Sequence, residues 1–208
     1  GAFYLCTNLK SIKIPVSVTE MEAYAFCESG ITDIYYEGTA EQWAFICPVS
    51  FENLFGEDAS TVTIHCADKE TPYGITWSLE NGVLTISGLG AMPYYLSRQE
   101  IPWYSDAENI TSAVIESGVA SIGRYAFYNC KNLNSVNIPN GVTIIGGEAF
   151  DNCESLESIT IPNGVTSIGG YAFYQCTGLK SITLPASVTD IGSSAFSRCS
   201  SLTSITIP

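Results

Sequence analysis

Eight cysteines and one histidine are the side chains of this sequence that could bind a metal or act as nucleophile and base. A structural zinc site needs cysteine or histidine ligands at close paired spacing, and the sequence contains no Cys-x-x-Cys pair. His65 stands next to Cys66, but neighbouring residues of a strand point to opposite faces, so these side chains are not expected to form a catalytic pair. We predict a structural or solvent-exposed histidine, no metal site and no catalytic residue.

The acidic residues are a second set of candidate ligands. Three close pairs stand out, but none has the Asp-x-Asx-x-Asx-Gly spacing of a calcium loop. The pairs are Glu57 with Asp58, Asp68 with Glu70, and Asp106 with Glu108. We interpret them as solvated loop charges and expect no cofactor. The 21 acidic residues outweigh the 8 basic ones and give a net charge of −13, which argues against binding to nucleic acid or to an anionic membrane. The sequence has no run of about 18 apolar residues, so membrane insertion is not expected.

Half of the cysteines recur at one spacing, and this spacing indicates the architecture. Cys130, Cys153, Cys176 and Cys199 follow one another at intervals of twenty-three residues. An Ala-Phe pair, a leucine and several aliphatic residues repeat with them; the phenylalanines are Phe127, Phe150, Phe173 and Phe196. A repeat of this period is a supersecondary unit that buries its apolar face only against neighbouring copies. The sequence therefore predicts a solenoid.

Each repeat is predicted to contain one short strand, one tight corner and one segment that could make a helical turn. The motif Leu-x-Ser-Ile-x-Ile alternates as a strand does, and the proline after it ends the strand. The motif Val-Thr-x-Ile-Gly is too short for a helix and is typical of a corner, whereas the segment around Ala-Phe could make a single helical turn. The repeated cysteines then stack inside the solenoid. Their parallel side chains do not suit a disulfide, so we expect reduced thiols packed as small hydrophobic residues.

The motif Ala-Phe-x-x-Cys-x-x-Leu-x-Ser-Ile-x-Ile-Pro-x-x-Val-Thr-x-Ile-Gly resembles the bacterial BspA-type leucine-rich repeat, over four successive copies that begin at Ala126. The resemblance implies a right-handed, β-rich leucine-rich repeat solenoid with short strands and irregular or short helical turns. It also implies a noncatalytic protein, secreted or held at the bacterial cell surface, that functions in adhesion or protein–protein interaction. The expected partner is an extracellular protein of a host or matrix. Any signal peptide or anchor is expected outside this stretch of sequence.

Two arrays of repeats are separated by a stretch that lacks them. Residues 1–66 are predicted to be the C-terminal end of a first array with its cap, and Thr39 is the predicted N-cap of a helix there. Residues 67–109 are predicted to form a connecting and capping module with a β-hairpin at Asn81-Gly82. Residues 110–208 are predicted to be a second array, truncated at its C-terminus. Four aromatic residues are expected to cover the end of the first core: Trp43, Phe45, Phe51 and Phe55.

Two surfaces are candidate binding sites. The first is the outward face of the strands, predicted to bind protein: Lys13, Asn137, Thr160, Thr183 and Thr206, with the serines Ser135, Ser158, Ser181 and Ser204. The second is an aromatic group that could stack on the rings of a glycan or could cap the second array: Trp77, Tyr94, Tyr95, Trp103 and Tyr104. The alternatives to a protein-binding function are therefore a carbohydrate-binding module and a rigid spacer for a domain elsewhere. A disulfide between Cys47 and Cys66 is an alternative to two thiols.

Overall fold

The computed structural model describes residues 1–22, 24–39, 42–43, 46, 55, 62–67, 70–72, 74–93 and 95–207, and of residues 70–72 only the backbone. This part of the chain forms short strands, two 3-10 helices and many turns. The 3-10 helices are Arg98–Glu100 and Tyr104–Asn109. The strands are β1 (Ser11–Ile14), β2 (Asp33–Tyr36), β3 (Thr63–His65), β4 (Glu70–Pro72), β5 (Gly74–Glu80), β6 (Val83–Ala91), β7 (Ser112–Ile115), β8 (Val119–Ile122), β9 (Ser135–Asn137), β10 (Ile144–Ile145), β11 (Ser167–Ile168), β12 (Ser181–Thr183), β13 (Asp190–Ile191) and β14 (Ser204–Thr206).

The first array is a parallel sheet of β1, β2 and β3, which β4 extends in the antiparallel sense. The strands pair in register, so Ile12, Ile34 and Ile64 lie side by side. Ile34 and Ile64 are completely buried. The Ile-x-Ile alternation therefore places its aliphatic side chains inward, as the sequence predicts.

The cap of the first array begins at the predicted N-cap residue. The backbone N–H of Gln42 donates to Thr39 Oγ1 at 3.2 Å, and the backbone N–H of Thr39 donates to Gln42 Oε1 at 2.9 Å. This reciprocal pair is a capping box, which satisfies two N–H groups at a helix start. The prediction for Thr39 is confirmed.

The predicted aromatic cover of the first core is confirmed for those of its four residues that the structure describes. Trp43 is buried with its ring centroid 5.5 Å from that of Tyr36, and Phe55 stacks on Phe26 at 5.4 Å. Phe45 and Phe51 lie outside the described residues.

The predicted hairpin is formed by β5 and β6, and Asn81 and Gly82 turn between them with φ of 51° and 82°. The first half of β6 pairs with β7, and its second half pairs with β8. A single strand thus starts both sheets of the second array. Gly88 lies between these halves, where φ is +120° and an added Cβ would overlap the carbonyl oxygen of Gly74.

The second array stacks like residues on like residues. Phe127, Phe150, Phe173 and Phe196 form a continuous stack, with ring centroids 5.0, 5.2 and 5.3 Å apart and planes within 6° of parallel. Strands β8, β10, β11 and β13 form a parallel ladder that pairs Ile122 with Ile145 and Ile145 with Ile168. The protein is a β-rich leucine-rich repeat solenoid.

The segments around each Ala-Phe pair are irregular turns and not helical turns. The backbone N–H of Phe127 donates to the carbonyl of Ala149 in the next coil at 2.7 Å, and Phe150 donates to Ala172 in the same way. A helix would direct these N–H groups to carbonyls of its own segment. Left-handed residues flank each phenylalanine, for example Tyr125 and Asn129 with φ of 64° and 61°. This conformation, unfavourable for residues other than glycine, turns alternate N–H groups towards the next coil.

The second array has another strand ladder, besides the one formed by β8, β10, β11 and β13, and this second ladder is interrupted. β7 pairs with β9, and β12 pairs with β14. The coil between these pairs contributes only an isolated bridge from Ser158 to Ser181. The strands on this side are therefore split into two pairs.

Candidate functional site

The predicted strand face of the second array is an exposed strip of small polar side chains. The in-register strands place Ser181 beside Ser204 and Thr183 beside Thr206, and the bridge places Ser158 beside Ser181. Every predicted residue of this strip is exposed: Ser135, Asn137, Ser158, Thr160, Ser181, Thr183, Ser204 and Thr206. We call these eight residues the hydroxyl strip, because seven of them are serine or threonine.

The hydroxyl strip contains a hollow at the interruption of the ladder. The hollow has a volume of about 270 Å³ and lies between the coils of Thr160 and Thr183. Hydroxyl groups and the carboxamide of Asn163 line it together with aliphatic side chains and Pro185. Its size is at the lower end for a small-molecule pocket and is suited to one side chain of a partner.

The chemistry available at the strip is hydrogen bonding. A serine or threonine hydroxyl both donates and accepts, and none of the eight side chains titrates near neutral pH. Beside the strip, Lys180 Nζ lies 2.6 Å from Glu157 Oε2, and both side chains are exposed. Such a surface pair contributes at most about 1 kcal/mol to stability. The strip is suited to recognition of a polar surface.

Two residues that the sequence analysis missed extend the strip. Val114 pairs with Asn137, and Thr85 of β6 pairs with Val114, so both lie in the same outward row. The alternation of Ala113, Val114 and Ile115 is the signal that could have identified Val114. The register of β6 has no equivalent signal, because this strand lies outside the repeats.

The strand face of the first array has a different composition. Lys13, Tyr35 and His65 are adjacent in register, and the rings of Tyr35 and His65 stack with centroids 4.4 Å apart. His65 Nε2 lies 2.9 Å from Asp33 Oδ1, and Lys13 Nζ lies 2.8 Å from Glu37 Oε1. The hydrogen bond with His65 lowers the pKa of the Asp33 carboxyl group. The sequence analysis assigned only Lys13 to this face, although the alternation in both strands contains the signal for the other two.

The repeated cysteines lie in the core as free thiols. Each of the last three donates to the carbonyl of a phenylalanine one coil earlier, for example Cys153 Sγ to Phe127 O at 3.2 Å. Burial raises the pKa of Cys130 to about 12 and raises that of Cys153. A thiol that stays protonated is a poor nucleophile and a poor metal ligand, so Cys130 and Cys153 are structural. The proposed Cys47–Cys66 disulfide involves Cys47, which lies outside the described residues.

The aromatic group of the connecting module is divided between core and surface. Trp103 is 1% exposed and Tyr95 is 7% exposed, and both pack in the core of the second array. The indole N–H of Trp103 donates to the carbonyl of Ala126 at 2.7 Å. These two rings cap the array and present no face to a sugar. Trp77 is 40% exposed, Tyr104 is partly buried against the same core, and Tyr94 lies outside the described residues.

In the described ranges, no group of three or more histidine, cysteine, aspartate or glutamate side chains is arranged to hold a metal ion. No helix there has the length and apolar character needed to cross a membrane.

Comparisons with known proteins bear on the family. The model of the BspA-type leucine-rich repeat region matches residues 1–54 and 102–208, in six copies. The comparison with curated proteins gave no match.

Solved structures of leucine-rich repeat proteins are similar to this chain. One, from Eubacterium ventriosum, is 33% identical with a TM-score of 0.51, and the match covers 64% of this chain and 41% of that protein. Another, from T. pallidum, is 26% identical with a TM-score of 0.50 and covers 64% of this chain and 69% of that one. A protein of Faecalibacterium prausnitzii described as a leucine rich cell surface protein matches at 24% identity and a TM-score of 0.46, over 99% of this chain and 61% of that one.

The chain thus spans less than half of the Eubacterium ventriosum protein. The family model matches well over half of the chain, and the repeats that it matches are the coils whose phenylalanines stack in the core. The chain belongs to the BspA-type leucine-rich repeat family.

Proposed function

We propose that this chain is a noncatalytic protein-interaction module of a secreted or cell-surface bacterial protein, and that the hydroxyl strip is its binding face for an extracellular protein. The observation that carries the proposal is the strip itself. It is exposed along its length, and the backbone beneath it is part of a packed core. A face positioned by a rigid core loses little conformational entropy when a partner binds.

The chemistry of the strip supports a polar protein surface as the partner. Hydroxyl groups can pair with backbone and side-chain groups of either polarity, and the hollow between Thr160 and Thr183 offers a place for one anchoring side chain. Anchoring side chains in central pockets contribute most of the affinity of protein interfaces. Adhesion is the function of this kind that fits a cell-surface location.

The proposal is tested with arginine substitutions at the hollow. Purified extracellular matrix proteins are immobilised, and binding of the wild-type protein to each is measured by surface plasmon resonance. For any matrix protein that binds, the double variant Thr160→Arg/Thr183→Arg should lose about tenfold or more in affinity, because two long charged side chains fill the hollow.

The control is Ser197→Arg, which adds a charge at an exposed position away from the strand face. It lies on the turn side of the array, which is formed by the segments around the Ala-Phe pairs. It should bind as the wild type does. An unchanged affinity of the double variant, or an equal loss in the control, would show that the hydroxyl strip is not the binding face. Binding to no matrix protein would favour the spacer alternative.

A further inference from the structure

The turn side of the second array carries two pairs of tyrosines. We call them the first pair, Tyr125 with Tyr128, and the second pair, Tyr171 with Tyr174. Both have an edge-to-face arrangement, with ring centroids 5.9 and 5.4 Å apart. They occupy the same two positions of their repeats, two before and one after the core phenylalanine. Since neighbouring strands lie about 4.8 Å apart, the two pairs are about 10 Å apart.

The first pair already binds guanidinium groups of this chain. The Cζ atom of Arg98, from the connecting module, lies 3.9 Å from the ring centroid of Tyr128 and 5.8 Å from that of Tyr125. The Cζ atom of Arg124 lies 4.4 Å from the centroid of Tyr125. These are cation–π distances. The first pair therefore shows which chemical group this arrangement of rings accepts.

The second pair is more open. Tyr171 is 44% exposed, whereas Tyr125 at the same position of its repeat is 8% exposed. The guanidinium of Arg198 lies 5.4 Å from the centroid of Tyr174, near the outer limit of a cation–π contact. An incoming cation could therefore reach Tyr171 from solvent.

The coil between the two pairs contributes a carboxylate at the same position as Tyr174. The backbone N–H of Asn152 donates to the carbonyl of Tyr174 at 2.8 Å, and that of Asn129 donates to the carbonyl of Asp151 at 2.8 Å, so Asp151 lies in the coil between the two pairs and next to both. Burial raises the pKa of Asp151 to about 6, the nearby charge of Glu148 adds to this effect, and the charge of Arg98 opposes it. A negative charge in such surroundings is stabilised by an added cation.

The other acidic residues of the coil that contains Asp151 form ion pairs with basic side chains. Glu148 pairs with Arg124 at 3.0 Å, Glu154 with Lys131 at 3.3 Å, and Glu157 with Lys180 at 2.6 Å. Within the part of the chain that is described, no basic nitrogen lies within 4 Å of the Asp151 carboxylate. The second pair and Asp151 thus combine two rings with a carboxylate on which the charge of Arg98 acts, but which has no ion-pair partner within 4 Å there.

We propose that Tyr171, Tyr174 and Asp151 form a binding site for an arginine side chain of a basic protein segment. A guanidinium is planar, so it stacks on a tyrosine ring and donates to a carboxylate at the same time, as the smaller ammonium of lysine cannot. The net charge of −13 attracts a basic segment to this surface. The site lies on the turn side and uses no residue of the hydroxyl strip.

The test uses a fluorescent peptide of alternating glycine and arginine and its lysine counterpart, titrated with the intact chain and followed by fluorescence anisotropy. The wild-type protein should bind the arginine peptide several-fold more tightly than the lysine peptide. Tyr171→Ala and Asp151→Asn should each weaken binding of the arginine peptide by about five- to tenfold.

Two variants serve as controls. Tyr171→Phe keeps the ring and should bind nearly as the wild type does, which separates loss of the ring from loss of folding. Tyr24→Ala removes a tyrosine that is 55% exposed at the same repeat position of the first array, and it should leave binding unchanged.

Several results would overturn the proposal. One is equal affinity for the two peptides with no effect of Tyr171→Ala, since the negative charge of the whole chain would then account for binding. Others are an absence of binding, or binding of a neutral oligosaccharide in place of the arginine peptide at the same tyrosines. Each of these results leaves the proposed function of the hydroxyl strip standing, because the variant that decides that function, Thr160→Arg/Thr183→Arg, lies on the strand face.

Discussion

The two arrays bury the same kinds of residue but expose different ones. Phe26 stacks between Phe3 and Phe55 in the first array, and Phe150 stacks between Phe127 and Phe173 in the second. On the outside, the first array presents ion pairs and a tyrosine stacked on a histidine, whereas the second presents hydroxyl groups.

This difference indicates which positions of a repeat can carry function. An inward side chain contacts its equivalents in both neighbouring coils, so its size is fixed by packing. An outward side chain between two isoleucines contacts solvent and is free to change without loss of the core. The partners of the two strand faces are therefore expected to differ, a charged and aromatic surface in one case and a neutral polar surface in the other.

The largest expected effect comes from a break in one of the two phenylalanine stacks. Phe150→Ala should lower the free energy of unfolding of the second array by about 3–5 kcal/mol, because it leaves a cavity between two rings. Since a coil contacts mainly its neighbours, the first array should be affected less. Hydrogen exchange followed by mass spectrometry measures both arrays in one experiment.

The matched variant in this experiment is Phe26→Ala, which should accelerate exchange mainly in the first array. Thr183→Ala, on the surface, should change stability by no more than about 0.5 kcal/mol. Equal acceleration of exchange in both arrays by each phenylalanine variant would mean that the arrays unfold as one unit, and the comparison between two cores would fail.

A smaller effect should distinguish the two strand faces by their response to pH. The hydrogen bond with His65, with a further one from Thr32, holds the pKa of Asp33 below its ordinary value of 3.8. A lowered folded-state pKa stabilises the protein above the unfolded-state value, and this contribution disappears as pH falls through the folded-state pKa. Asp33→Asn should therefore lower the Tm at neutral pH, and the difference from the wild type should vanish in strong acid.

Thermal unfolding from pH 7 to pH 2 measures this effect. Thr183→Val, on the hydroxyl strip, provides the comparison, because its effect on Tm should not depend on pH. If the Tm difference for Asp33→Asn stayed constant down to pH 2, the contact with His65 would not stabilise the first face.

Much of the core could be predicted from the sequence, because a fixed repeat implies that like residues are stacked. The phenylalanine stack, the buried cysteines, the Asn81-Gly82 turn and the Thr39 cap are all local or periodic signals, and each is confirmed. The boundaries proposed for the two arrays and the connecting module stay a prediction.

Other features could not be predicted because they depend on contacts distant in sequence or on backbone conformation. The role of β6 in both sheets depends on its register with β7 and β8. The left-handed residues beside each phenylalanine, such as Tyr125 and Glu148, are not glycines, so their residue type gives no sign of φ. The stacking of Tyr35 on His65 joins residues from two coils, one of which lies beyond the regular repeat.

Successive coils stack in register around a dry core, and the reactivity of the thiols in the folded protein measures whether this core excludes water. The native protein is exposed to iodoacetamide, and alkylation of each cysteine is followed by mass spectrometry. Cys153 and Cys176, which are completely buried, should remain unmodified until the protein is unfolded, whereas the partly exposed Cys6 and Cys27 should react in the native state. Reaction of Cys153 and Cys176 in the folded protein at the rate of Cys6 would contradict the account.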